Sequence, residues 1–176
     1  MSIVTIIAGL QTQGKLVSYA PQRTTAPARR RLYLSADLHK ALNNANNGVV
    51  MMVGRGEMEA QMTLWTAGER VYDNGKAKPG PGFLKRLKAP PPEIWEIRVT
   101  APVSQARIFG RFAEPDTFIA TDMWTRQALG KAKSSTWSKA MKQCETDWNK
   151  LFPGSPPFSG AKMSDYVTEN CDDFTL

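Results

Sequence analysis

The sequence predicts an α+β fold: a small antiparallel sheet with two helices before the main strand meander and one after it, plus N- and C-terminal extensions. Three observations carry this. The run IWEIRVTAPVSQARIFGRF (94–112) holds two strand-like segments joined by a short Pro-Ser turn, and TFIATDMW (117–124) follows after the turn at 114–116. Apolar residues recur at helical steps both before and after that meander. Strands joined by short turns are antiparallel neighbours, and helices bunched on either side of them pack onto the sheet.

Taken in order, residues 1–29 read as an N-terminal extension: an apolar strand or short arm, then a Pro-, Thr- and Arg-rich linker. No basic residue precedes the apolar start and no small-residue cleavage site follows it, so a secretory leader is not expected. Residues 30–152 form the predicted α+β domain. RRLYL (30–34) reads as a short strand, and Ser35 is placed to cap a helix in which Leu38, Ala41, Leu42 and Ala45 share one face. The Asn/Gly run at 43–48 stops that helix. VVMMV (49–53) fits either a short buried strand or more packing surface. A second helix is predicted over about 57–73, from the helical spacing of Met58, Met62, Trp65 and Glu69. Residues 76–93 are too rich in Pro and Gly for one regular element, and they carry Lys76, Lys78, Lys85, Arg86 and Lys88. After the three strands and a basic loop at 126–133, Ser134 or Ser135 caps a last helix. Its stripe of Trp137, Met141, Cys144, Trp148 and Leu151 steps by four and three. Residues 153–176 read as an irregular, acidic C-terminal tail. Its last 13 residues hold Tyr166, Phe174 and Leu176 as apolar anchors among carboxylates, and two arrangements are open to it: free in solvent, or folded across a basic face.

Composition narrows the chemistry. The chain of 176 residues has a formal charge of +7. Residues 1–133 hold 19 Lys/Arg against 10 Asp/Glu, whereas residues 134–176 hold 4 against 6. Such a basic body favours a polyanionic partner, because neutralised phosphates release counterions. No apolar run approaches the ~20 residues a membrane helix needs, so no membrane partner is expected. Cys144 and Cys171 lack the spacing of a metal or disulfide framework, which suits a reducing cytoplasm. His39 is the only histidine, so a His-His metal pair and a conventional histidine triad are both unavailable. Neither dinucleotide- nor mononucleotide-binding glycine pattern occurs. No cofactor is expected.

What remains is cationic. Alternation along a strand places Arg107, Phe109 and Arg111 on one face and Ala106, Ile108 and Phe112 on the other. Two cations on one face of a central hairpin suit a concave anionic site better than a core. Guanidinium groups bind phosphate through paired N–H donors and stabilise a phosphorane-like transition state. RNA supplies its own 2′-hydroxyl nucleophile, so such a face is compatible with RNA cleavage and equally with plain phosphate binding.

The segments FLKRL (83–87), WEIRV (95–99), ARIFGRF (106–112), TFIATDMWTRQ (117–127) and the helix at 135–151 resemble the RelE/HigB/ParE toxin superfamily, most nearly its phage-associated HigB-like branch, over about residues 30–152. The resemblance implies a toxin-type endoribonuclease that cleaves mRNA, ribosome-dependent and metal-independent, by attack of the 2′-hydroxyl, held in check by a small antitoxin protein with a helix-turn-helix. It implies catalytic roles for Arg107, Arg98 and Arg126, and nucleic-acid contacts from Lys85, Arg86, Lys88, Arg111, Lys131 and Lys133. The alternative is a non-enzymatic member: a ParE-like topoisomerase poison, or a phage or mobile-element protein binding a host factor. Glu96 stands where the cleaving branch tends to be basic, and Trp137 where it offers a tyrosine. Asp122 is the one candidate for the acidic or imidazole group near the end of the third strand. These departures favour the alternative.

Overall fold

The structure, a computed structural model, describes residues 2–21, 27–71, 83–88, 93–101, 103–131 and 134–171. The chain begins with a helix where the sequence reads as a strand or arm. α1 (Ile3–Thr12) is capped by Ser2, whose hydroxyl accepts from the Thr5 amide, and it buries Ile7 and Leu10. β1 (Leu16–Ser18) follows, then β2 (Arg31–Ser35). Ser35 caps α2 (Ala36–Leu42) by accepting from Leu38 N, the role its position predicts. Asn47 caps a further helix, α3 (Gly48–Val53), so VVMMV is helical. α4 (Arg55–Thr66) is shorter than the predicted 57–73, and Gly68 just past its end adopts a left-handed φ of 77° that turns the chain away.

The strand meander stands where the sequence puts it. β3 (Leu84–Lys88) adds an edge strand from within the basic Pro/Gly-rich segment. β4 (Ile94–Thr100), β5 (Gln105–Glu114) and β6 (Thr117–Thr125) pair antiparallel in turn. Thr125 caps a short α5 (Arg126–Leu129), and Ser134 caps α6 (Ser135–Leu151). α7 (Met163–Tyr166) is the one helix of the C-terminal segment among the described residues.

The class is α+β, with an open six-stranded sheet in the order β1-β2-β6-β5-β4-β3. It is mixed rather than wholly antiparallel, because β2 pairs parallel to β6. Short turns force antiparallel pairing, but β2 and β6 are separated by three helices and three strands, and so long a connection leaves their relative direction free.

The front face of the sheet carries Leu32, Leu34, Trp95, Ile97, Ile108, Phe112 and Phe118 and is covered by α2, α3, α4 and the C-terminal segment. The tail is irregular as expected but not free. Met163, Tyr166 and Val167 are fully buried in that front core. Arg30 donates to the Glu169 carbonyl at 2.6 Å, and Asn170 donates to the Gly68 carbonyl at 2.9 Å. The arrangement in which the tail crosses the basic face does not occur for residues 164–171. Phe174 and Leu176 lie outside the described residues.

The back face is covered by α1, α5 and α6, and it is the chemically unusual one. Of the stripe predicted for α6, Trp137, Cys144 and Trp148 seal it together with Ala140, while Met141 and Leu151 are half-buried.

Candidate nucleic-acid interface

Strand register decides which of the predicted cations meet. Arg98 lies directly opposite Arg107, and Arg107 directly opposite Trp124, so one row on the back face runs Arg98–Arg107–Trp124 across β4, β5 and β6. The adjacent row runs Lys85–Glu96–Phe109–Asp122 across four strands. Arg126 follows immediately at the start of α5. Its charge and that of Arg98 both press on the Arg107 guanidinium. The three arginines assigned by the resemblance therefore gather at one corner of the sheet, with Lys85 on the next row.

The corner is not the open pocket expected of it. Glu96, 1% exposed, sits among the cations. Its Oε1 accepts from Arg98 Nε at 2.8 Å, and its Oε2 lies 3.5 Å from Arg107 Nε. Arg107 is 7% exposed, donates to the Ala106 carbonyl at 2.8 Å and reaches the Gln105 side chain at 3.5 Å. The expectation of an open anionic pocket around Arg107 and Arg98 is thereby corrected: Arg107 is buried and only Arg98 stays partly exposed. Alternation alone put them on one face, but it could not show that α5 and α6 cover that face or that Glu96 stands between them. Burial pushes the Arg107 pKa down, Glu96 opposes that shift, and Arg98 and Arg126 reinforce it. Three guanidinium groups and one carboxylate leave a surplus of positive charge, reachable mainly through Arg98, Arg126 and Lys85, whose residues are partly exposed.

Arg126 is held by its own donation to the Gly130 carbonyl, and its guanidinium carbon stands 5.8 Å from the centroid of the Trp137 ring, a cation–π geometry. Trp137 thus serves as a platform for an arginine as well as a core residue against Phe109. Lys131, exposed in the α5–α6 connection, extends the same corner. Lys133 lies outside the described residues, and so does the side chain of Lys88.

Two predicted contacts are elsewhere. Arg86 projects to the front face, where it donates to Glu93 Oε2 at 2.6 Å within a buried network that also includes Trp95 and Tyr166. Tyr166 donates to Glu93 Oε1 at 2.6 Å, and burial first, with that bond second, pushes its pKa up to about 12. Arg111 shares the back face with Arg107 but is buried beneath α6 at 3% exposure, 5.8 Å from the Trp148 ring. Both arginines are corrected from nucleic-acid contacts to interior residues. Each sits among aromatic rings that its alkyl stem and planar head can pack against.

Asp122 is half-buried on the same face. It accepts from Trp124 Nε1 at 2.6 Å and from the Met123 amide at 2.8 Å, and burial raises its pKa despite those donors. Trp124 stands beside Arg107 in the arginine row; the sequence leaves both Trp95 and Trp124 open to a core or a base-stacking role, with core the commoner. Nothing in its local sequence separates it from the core tryptophans, and only the register does so.

Fold and site together define an α+β protein with an open mixed sheet and a cationic corner at one end of its central hairpin. No family model matches the sequence, no curated protein matches it, and no solved structure matches it.

Proposed function

We propose that the protein binds nucleic-acid phosphates, RNA foremost, through the corner formed by Lys85, Arg98, Arg107, Arg126 and Lys131, and that it acts by binding rather than by cleavage. The observation that carries this is the convergence of Arg98 and Arg107 from β4 and β5 on one buried carboxylate, with Arg126 of α5 close enough for its charge to act on Arg107. Glu96 holds Arg98 and Arg107 in place before any ligand arrives, so the cost of ordering them is already met in the fold. The same grip disfavours cleavage, because a guanidinium engaged by a carboxylate and a backbone carbonyl has fewer donors left for a scissile phosphate. This is the plain phosphate binding that the sequence leaves open for the arginine face; with the alternative of a ParE-like topoisomerase poison, or a phage or mobile-element protein binding a host factor, it shares the absence of cleavage. No helix among the described residues is long and apolar enough to cross a membrane.

A second reading, ribosome-dependent mRNA cleavage restrained by a small helix-turn-helix antitoxin, is favoured by one specific observation. The three arginines it requires do come together, as phosphorane stabilisation demands. Two measurements separate the readings. Fluorescence anisotropy with a single-stranded RNA is expected to show binding that weakens when Arg98 and Arg126 are both changed to Ala. The slope of log affinity against log salt should flatten by about 0.7 for each phosphate that the protein no longer neutralises. Mapping of RNA 5′ ends after induction is expected to show no new cuts in translated messages. Unchanged affinity and slope in the double variant would overturn the binding reading, and new cut sites abolished by Arg107→Ala would replace it with the nuclease.

A further inference from the structure

The five tryptophans of the chain are all described, and they are not equivalent. Trp65, Trp95 and Trp148 are fully buried, and Trp137 is sealed between Phe109 and the Arg126 guanidinium. Trp124 alone remains partly exposed, and it is the one standing in the arginine row beside Arg107. β2 pairs with β6 only over residues 117–120, so the Trp124 stretch has a strand neighbour on one side only. Its ring is not left to wander, because the indole N–H is fixed to Asp122 Oδ2 at 2.6 Å. A pinned, partly open indole, packed on the apolar cluster of Phe109 and Trp137 with Arg107 opposite it, matches the way sequence-tolerant proteins hold unpaired strands. The cations follow the phosphates, and an aromatic face takes a base. In a duplex each base face is already occupied by its neighbours, so an indole at the surface adds nothing.

We infer that Trp124 is a base-stacking platform, and that the ligand of the basic corner is an unpaired nucleic-acid strand with its phosphates on Arg98 and Arg126 and a base on the indole. The inference rests on the phosphate-binding reading above. Neighbouring strands lie about 4.8 Å apart, so the row from Arg98 to Trp124 spans roughly 10 Å, the reach of one or two nucleotides.

The test compares three probes by fluorescence anisotropy at one low salt concentration: an oligouridylate of about twelve nucleotides, within the site size of such proteins, an abasic strand of equal length and charge, and a duplex of equal length. The wild-type protein is expected to bind oligouridylate at least about fivefold more tightly than the abasic strand, the lower end of a stacking contribution. Trp124→Ala should bring oligouridylate down to the abasic level and leave abasic and duplex affinities unchanged, while Trp124→Phe keeps most of the difference. Equal wild-type affinity for oligouridylate and abasic strand overturns the inference, and that comparison needs no variant to fold. So does a Trp124→Ala protein that binds oligouridylate as the wild type does, or one that loses duplex affinity equally. Failure of the underlying reading looks different: changing Arg98 and Arg126 to Ala would then leave all three affinities untouched.

Discussion

Glu96 sets the character of the corner. A buried carboxylate between two guanidiniums is costly to desolvate, and removing one partner of such a cluster typically costs about 3 kcal/mol or more, because a charge is then left uncompensated. Glu96→Gln keeps the shape and removes the charge. It is expected to lower the urea midpoint by an amount worth about 3 kcal/mol and, in the folded fraction, to tighten RNA binding, because Arg98 and Arg107 lose their internal competitor. A variant as stable as the wild type with unchanged RNA affinity would mean that Glu96 is an incidental neighbour. Strand alternation places Glu96 and Arg98, two residues apart, on one face of β4. Arg107 could not be added to that pair without the register, because alternation assigns a face but not a row.

Among the elements, β5 shows what short-range pattern can and cannot tell. The alternation that separates Arg107, Phe109 and Arg111 from Ala106, Ile108 and Phe112 is realised in the structure. Opposite Phe109 and Gly110 it is β6 that departs from alternation, because a bulge leaves Thr121 as an extra residue and the side chains beyond it change face. Gly110 is needed there: a Cβ would come within 2.2 Å of the Ile119 carbonyl oxygen and 2.5 Å of the Phe118 ring. Gly110→Ala is therefore expected to destabilise by about 3 kcal/mol, the upper range for overpacking, read as a shift of the chemical unfolding midpoint with unchanged slope. A midpoint within error of the wild type would show that the bulge has room to relax. The caps at Ser35 and Ser134 and the stripe of α6 were legible because each depends on residues three or four apart. α1 and β3 were not. Their local sequences resemble an arm and a loop, and it is packing against Leu16 and Trp148 in one case, and pairing with β4 in the other, that fixes them.

For the molecule as a whole, the two faces have divided tasks. The front face holds the main apolar core and, through Arg86, Glu93, Trp95 and Tyr166, fastens the C-terminal segment to it. The back face carries the charge. Removing residues 160–176 uncovers Trp95 and Phe112 and deletes three fully buried side chains, each worth about 1.5–3 kcal/mol. The truncated protein is expected to melt well over about 5 °C lower and, where still folded, to bind RNA with unchanged affinity, because residues 163–167 dock on the face of the sheet opposite the corner. Tighter binding at an unchanged melting point would instead indicate an acidic shield over the cations. The sequence marks the tail as irregular and acidic and picks out Tyr166 as an apolar anchor, but not Met163 and Val167, which are buried beside it.

The parallel pairing of β2 with β6 has a consequence for how the chain matures. Ser35 and its partner carbonyl at Thr121 are 86 residues apart, so β2 emerges during synthesis long before the strand that will hold it. The β4–β5–β6 hairpins close over short sequence distances, whereas the β2–β6 pairing closes a long one, and until β2 docks one flank of β6 offers bare amides and carbonyls to any passing strand. The N-terminal third, α1 included, then acts as the bolt that closes this flank, which makes assembly order, more than final contact strength, the point at which the nascent protein is exposed to mispairing.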